Sequence, residues 1–527
     1  MKEILFILLF SLNGSMISAQ VISTFFHEKN ALETYSMLRQ KSHKVIPQKK
    51  MLPVSTEKLM KEDKENEKLG DFPFRFGYDF DVNYSLSDGV WEEENEKRIW
   101  SLRFSSEKAY SLNFIFSELT LIPGAEIYIF NPDGRMVYGP ITEKQNIPQG
   151  YDSFLTDLIA GDEVIIQLFE PNTSRDMSKL RISKVIHAYI DMFQTEETLR
   201  AASLNCHNDV ACYPAWVTES KAVALVLLSS GSYWCSGSLL NNTNQDNRPF
   251  FLTAFHCIDR YAPRGSLSTA EINEAKNWSF RFHYKKTTCN GSTTSSYITY
   301  NYANFRAAWQ ATDFALMELL SVDGHANSEI SFLGWDRSGN TPVSGTGIHH
   351  PAGDLMKISF DNHRLVSNSS VINWSNGLQS PVNTHWNVGY DNGTAEGGSS
   401  GSPLFDQNHR VIGQLHGGAS GCPPVTKRYG QFHRSWGGGG TNDTRLSNWL
   451  DPNNTNVTTL NSIPLCVTIN FTNQTVTTNT TITNNCGDIN VQNVTVTNGA
   501  KLTFEAAGEV NIISDFDVRL GSSFEIK

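Results

Sequence analysis

Short apolar alternations, not helical stripes, dominate the chain from about residue 71 onward. SLNFIFSELTL (Ser111–Leu121), AEIYIFNPDG (Ala125–Gly134) and DEVIIQLFEP (Asp162–Pro171) are runs broken by Pro-Gly and Asp-Gly turn signals. Period-two patterning bounded by turn residues predicts antiparallel strands, and over 71–200 it predicts a β-sandwich. From 201 to about 465 short strands are again expected, in AVALVLL, GSLLN, FFLTAF, FALMELL, VIGQLHGG and YGQFH, separated by long polar loops. One helix is expected there, over TRLSNWLDP. Residues 466–527 are Thr/Asn-rich with alternation, as in VTINFTNQTVTTNTTIT, and predict a small β-rich extension, a solenoid or a second sandwich. Only residues 20–70 depart from the strand pattern. They are charged and helix-prone, with KLMKEDKENEKLG as the extreme, and read as a solvated leader or linker.

The first residues have a different character. Lys2 precedes the apolar run Ile4–Phe10, and Ser18-Ala19 offers small residues for cleavage before Gln20. This is the form of an export signal over 1–19, too short to span a bilayer. No later stretch is long enough for a membrane span. The formal net charge of −11 and the absence of a basic block argue against nucleic-acid binding. Export would place the eight cysteines in an oxidising compartment. None precedes residue 200. Their spacing contains no paired C-x2-C zinc motif. Cys466 and Cys486 are expected to close a loop of their own.

Three stretches of the middle region carry chemistry. In FLTAFHC (Phe251–Cys257) an apolar strand ends at His256. In TDFALMELL (Thr312–Leu320) Asp313 opens a strand, where its carboxylate can be buried. In GTAEGGSSGSPLFD (Gly393–Asp406) a run of small residues precedes Pro403 and a strand. Acyl transfer by a serine needs a base, an anion that fixes the base's tautomer, and N–H donors for the oxyanion. His256, Asp313 and Ser400 answer the first needs, and the N–H groups of Gly398 and Ser400 the last. A glycine at 398 suits a sharp turn that a Cβ would disfavour. Gly397–Gly401 also fits G-x-S-x-G with Ser399 as nucleophile. That motif requires a following helix and a later acid and histidine, whereas Pro403 and a strand follow here. No cofactor or metal is required. His349 and His350 are adjacent on a strand, so they point to opposite faces and are expected to be structural.

These stretches resemble the chymotrypsin-like serine proteases. LTAFHC looks like their TA-x-HC box, and GGSSGSP like G-D-S-G-G-P, with Ser399 and Ser402 as the departures. IHHP (Ile348–Pro351), GWDR (Gly334–Arg337) and GQLHGG (Gly413–Gly418) bring the resemblance closer, to the secreted bacterial lysyl endopeptidases. The resemblance implies a chymotrypsin-like double β-barrel over 201–465. It implies disulfides Cys206–Cys422, Cys212–Cys289 and Cys235–Cys257, and places Trp374 and His416 near the active site as substrate-binding residues, with His416 in a strand that pairs with the substrate backbone. It implies a prepro-organisation in which the 71–200 sandwich is a pro-region, released near Arg200 to leave Ala201 as the new N-terminus. Peptides, and the chain's own pro-region, are the expected partners.

The likeness fails where specificity is set. The aspartate that lysyl endopeptidases carry before their Tyr-Gly pair is replaced: Tyr429-Gly430 follows Lys427-Arg428. Thr394 stands where trypsin-like enzymes have their aspartate. Three pockets are compatible with the sequence: Lys427 or Arg428 receives an acidic side chain, Glu396 receives a basic one, or the pocket is neutral. Cleavage at Arg200 would favour a basic residue, and Glu196-Glu197 just upstream an acidic one. The competing functional class is a secreted binding or adhesion protein whose flanking β-domains do the work. In either case the 466–527 tail is a candidate for contact with a surface or a glycan.

Overall fold

The computed structural model describes residues 21, 23–25, 44–69, 72–193, 203–322, 329–466, 468–484 and 487–527. The export signal, the Glu196–Ala201 junction and Cys486 lie outside them.

The first body is a sandwich of a seven-stranded and a five-stranded sheet. Trp100, Leu102 and Phe104 from strand Lys97–Ser105 meet Leu112, Phe114 and Phe116 from strand Ser111–Thr120 in one core. The alternate residues of the five-stranded sheet are covered too. Ile115 and Ile186 pack with Leu225, Leu227 and Trp234 of the following body. Burial on both faces explains why SLNFIFSELTL reads as an almost unbroken apolar run.

Within the expected solvated leader over 20–70, Thr56–Leu69 is the mostly exposed helix that its charged, helix-prone composition predicts, but two short segments are tied into sheets. Ser23–Phe25 pairs antiparallel with strand Met136–Ile141 at Tyr138, Val137 and Met136, and Gln48–Lys50 pairs in parallel with Arg103–Ser105. These short segments complete sheet edges contributed by distant residues, so no local apolar period marks them.

Two more sheets follow. In the eight-stranded sheet the end strands Ile298–Asn301 and Ala303–Trp309 are neighbours in the chain, joined through Tyr302, which curls the sheet into a barrel. The ten-stranded sheet forms the second half, with Leu365, Trp386, Val388, Leu404, Leu415 and Tyr429 in its own core. This is the double-barrel arrangement expected. All the expected strands form, but YGQFH is cut short: the strand ends at Gln431 and Phe432–Gly437 turns into a helix. Helix Ser447–Leu450 is joined by others that were not expected, notably Thr269–Ala275. Its start carries a capping box between Ser268 and Glu271, an S-x-x-E signal present in the sequence.

The tail is a solenoid. Two three-stranded parallel sheets stack Ile469 on Ile489 on Val510, and Leu502 on Phe524. Asn470 and Asn490, and Asn473 and Asn493, form side-chain ladders at 3.1 and 2.7 Å. Phe504 is fully buried between Phe471 and Phe524. Phe504→Ala is expected to cost the tail about 3–5 kcal/mol. Limited proteolysis should then release fragments of 468–527 early, with the rest of the chain as resistant as before.

Candidate active site

Strand Phe250–Ala254 delivers His256 on a single helical turn, Phe255–Cys257. The adjacent strand Phe314–Leu319 begins one residue after Asp313. Asp313 is left-handed, with φ 59°, and 2% exposed. Its two oxygens are both used on the histidine: Oδ2 lies 2.9 Å from His256 Nδ1, and Oδ1 accepts the His256 backbone N–H at 3.0 Å. Its own carbonyl accepts from Phe255 N–H at 2.8 Å. Burial raises the Asp313 pKa, and the imidazole pulls it back. The structure therefore brings together His256 and Asp313, which the sequence motifs put at the ends of two strands, by pairing those strands.

The small-residue stretch is a tight turn held from both sides. Gly397 carbonyl accepts from Ala352 N–H at 2.6 Å, and Gly398 carbonyl from Ser236 Oγ at 2.8 Å. Ser400 carbonyl accepts from Ser236 N–H at 2.8 Å, and Gly401 N–H donates to Leu415 carbonyl at 2.8 Å. Gly398 has φ +89°, and a Cβ there would stand 2.9 Å from the His350 carbonyl oxygen. Gly401, at φ +83°, presses against Thr253 and Ala254, the strand that leads to His256. Ser399 is fully buried, and its Oγ pairs with His349 Nδ1 at 2.8 Å. Ser400 instead lines a cavity of about 260 Å³.

Three disulfides brace this region: Cys206–Cys422, Cys212–Cys289 and Cys235–Cys257. These are the pairings that the resemblance implies. Cys466 is also disulfide-bonded. Cys235–Cys257 closes a separation of 22 residues and fixes the turn that carries His256. Replacing both cysteines by alanine is expected to cost about 3 kcal/mol, read as a lowered denaturation midpoint, with a larger fractional loss at His256-dependent steps than at remote sites.

His416 lies behind the pair, not in the cavity. Its Nε2 is 3.9 Å from Asp313 Oδ1, too far for a hydrogen bond, and its ring stacks on Trp374 at 3.5 Å. Its Nδ1 pairs with His385 Nε2 at 3.0 Å. Burial drives the His416 pKa well below the ordinary histidine value, with further repulsion from His385 and His256. Trp374 and the neutral His416 thus shield Asp313 from water. His385 was not anticipated; nothing in NTHWNV distinguishes it. His349 and His350 are both buried and hydrogen-bonded within the fold, as expected.

The pocket candidates separate. Lys427 and Glu396 line the cavity with Ser400, Gly417 and Gly418. Thr394 is turned away and donates to the Gly421 carbonyl at 2.8 Å. Arg428 is bonded to Asn387 on the other face of the strand. The cavity's remaining wall comes from an unexpected source. Phe74–Arg75 adds a strand to the first barrel beside Tyr233-Trp234, and Phe74 packs against Gly397, where a Cβ would lie 3.3 Å from its ring. Arg75 is ion-paired with Asp63 at 2.7 Å and Glu62 at 3.0 Å on helix Thr56–Leu69.

Residues 201–433 match the family described as lysyl endopeptidase, C-terminal domain. The chain is similar to the lysyl endopeptidases. A lysyl endopeptidase of Pseudomonas aeruginosa is 28% identical over 309 residues, which are 54% of this chain and 61% of the relative. The match thus spans about three fifths of that relative's length. Among solved structures, the Rv3671c protease of M. tuberculosis in its active form is 15% identical at a TM-score of 0.27, covering 44% of this chain and 88% of its own. The MamO protease domain of Magnetospirillum magneticum is 12% identical at 0.26, covering 41% and 93%. In this chain's cavity Lys427, two residues ahead of Tyr429, is buried at 2% exposure.

Proposed function

We propose that the chain is a secreted serine endopeptidase made as a zymogen. The observation that carries this is the buried His256–Asp313 pair, with both carboxylate oxygens committed to the histidine, next to a braced glycine turn that presents Ser400 at a cavity. In this reading His256 takes the Ser400 hydroxyl proton as Ser400 attacks the peptide carbonyl, and returns it to the leaving amine. Asp313 holds the Nδ1–H tautomer and stabilises the imidazolium. The N–H groups of Gly398 and Ser400 receive the oxyanion. Water then hydrolyses the acyl-enzyme by the same steps. No cofactor takes part.

The sandwich and its leader act as a pro-region. Phe74 lies on Gly397, three residues before the nucleophile, and Phe72–Arg75 lines the cavity together with Ser400. An extended segment paired with the sheet edge blocks an extended substrate from the same approach. A fluorophosphonate probe tests both statements. Labelling, mapped by mass spectrometry, is expected at Ser400 alone, and at least about tenfold faster after processing than in the precursor. Labelling of neither form would overturn the nucleophile assignment; equal rates in the two forms would overturn the pro-region's blocking role.

A further inference from the structure

The cavity beside Ser400 has a distinctive charge pattern. Lys427 is only 2% exposed, yet it forms part of the cavity wall with Gly417 and Gly418. Its ammonium donates to the Ala419 carbonyl, a neutral acceptor. No carboxylate of the described residues forms an ion pair with it. An ammonium has three protons to donate, so donors remain for a ligand. Burial pulls the Lys427 pKa down to about 8, against an upward pull from Glu396. An arriving carboxylate would restore its charge.

Glu396 does not play the opposite role. Its Oε1 accepts Leu204 N–H and faces His207 Nε2, both at 2.9 Å. That carboxylate ties down Leu204 and His207 through Oε1 and already acts on Lys427, so a basic substrate side chain would have to compete with Lys427 for it. The rim adds positive charge. Arg260 and Arg264 line the same cavity, and each has a buried Nη1 with no hydrogen-bond partner. Arg264 lies over the Phe72 ring at 4.2 Å, and Arg260 over Tyr233 at 4.6 Å. Removing the covering segment takes away Arg75 together with its partners Asp63 and Glu62. It leaves Lys427, Arg260 and Arg264 facing the cleft.

We infer that Lys427 is the specificity-determining residue of this cleft and selects substrates with a glutamate or aspartate on the acyl side of the bond that is cut. This rests on the serine-endopeptidase reading above. The side-chain carboxylate replaces water on the Lys427 ammonium, while Arg260 and Arg264 favour acidic stretches at the entrance.

The processed protein, its active sites counted with the fluorophosphonate probe, is given peptide anilides that differ only in carrying Glu, Gln or Lys at that position. A denatured protein mixture is digested alongside and its cut sites read by mass spectrometry. The expected result is cleavage after Glu or Asp, with kcat/KM for Glu at least about 100-fold above that for Gln and for Lys. Lys427→Met, and the more conservative Lys427→Gln, are expected to remove most of that preference. Both should keep probe labelling at Ser400, which shows that they fold. Cleavage after Lys or Arg, or a preference unchanged in both variants, would overturn the inference while leaving the endopeptidase reading intact. Absence of probe labelling in the wild-type protein would instead overturn that reading, and the inference with it.

Discussion

Ser400→Ala is expected to lower kcat for peptide hydrolysis by about 10⁶-fold and to leave the fold unchanged. Every bond that shapes the turn at Ser400 is made by backbone or by a neighbour. Its carbonyl is held by Ser236 N–H, and Gly401 N–H is held by the Leu415 carbonyl. Removing one side-chain oxygen therefore removes the nucleophile and little else. Ser399→Ala should behave in the opposite way. Ser399 Oγ is bonded to His349 Nδ1 at 2.8 Å in a fully buried site, and His349 in turn faces Ser359 at 3.2 Å. Its loss leaves buried polar groups unpaired, at a cost of about 1–3 kcal/mol. The Ser399 variant should melt earlier yet retain hydrolysis and probe labelling. Measured together, the kinetic and melting data assign each serine its role. A Ser400→Ala protein that still cleaves peptides at a substantial rate, or a Ser399→Ala protein that cannot be labelled, would reverse the assignment.

The contrast between the two serines shows which parts of the site were legible in the sequence. LTAFHC, TDFALMELL and GGSSGSP are local signals. Each has a strand that ends or begins at the chemical residue, and strand pairing then places His256 and Asp313 side by side: Ala254 pairs with Phe314. The left-handed Gly398 could be read from the need for a sharp turn, and the structure gives it φ +89°. The pocket was not legible, because its charges are settled by distant partners. Glu396 is claimed by His207, 189 residues away in the chain. Lys427 and Arg428 alternate along one strand, and only pairing with Gly418 and Val388 decides that Lys427 is the buried one. The sheet-bound parts of the leader were not legible for the same reason. A three-residue strand such as Gln48–Lys50 has no period of its own, and its place is set by the edge it completes. Phe74 over Gly397 joins residues more than three hundred positions apart, a contact that no composition or spacing announces.

Asp313→Asn is expected to lower kcat by about 10⁴-fold, with KM changed little. The substitution is well suited to the site because asparagine accepts the left-handed backbone that Asp313 adopts, φ 59°, at low cost. Alanine would add strain there and confound the result. In the variant the amide oxygen can still accept the His256 backbone N–H, now made by Oδ1 at 3.0 Å. The amide nitrogen then faces Nδ1, and as a donor it requires Nδ1 to be the acceptor. The proton moves to Nε2, so the histidine faces Ser400 with a hydrogen where it needs a lone pair. The adjacent histidine does not restore the lost carboxylate. His416 is held neutral by burial, and its Nε2 stands 3.9 Å from Asp313. A tautomer error predicts that the rate of Ser400 labelling falls in step with kcat while the melting curve hardly moves. A purely structural role for Asp313 predicts instead a large loss of stability, with kcat per labelled site close to that of the unaltered protein.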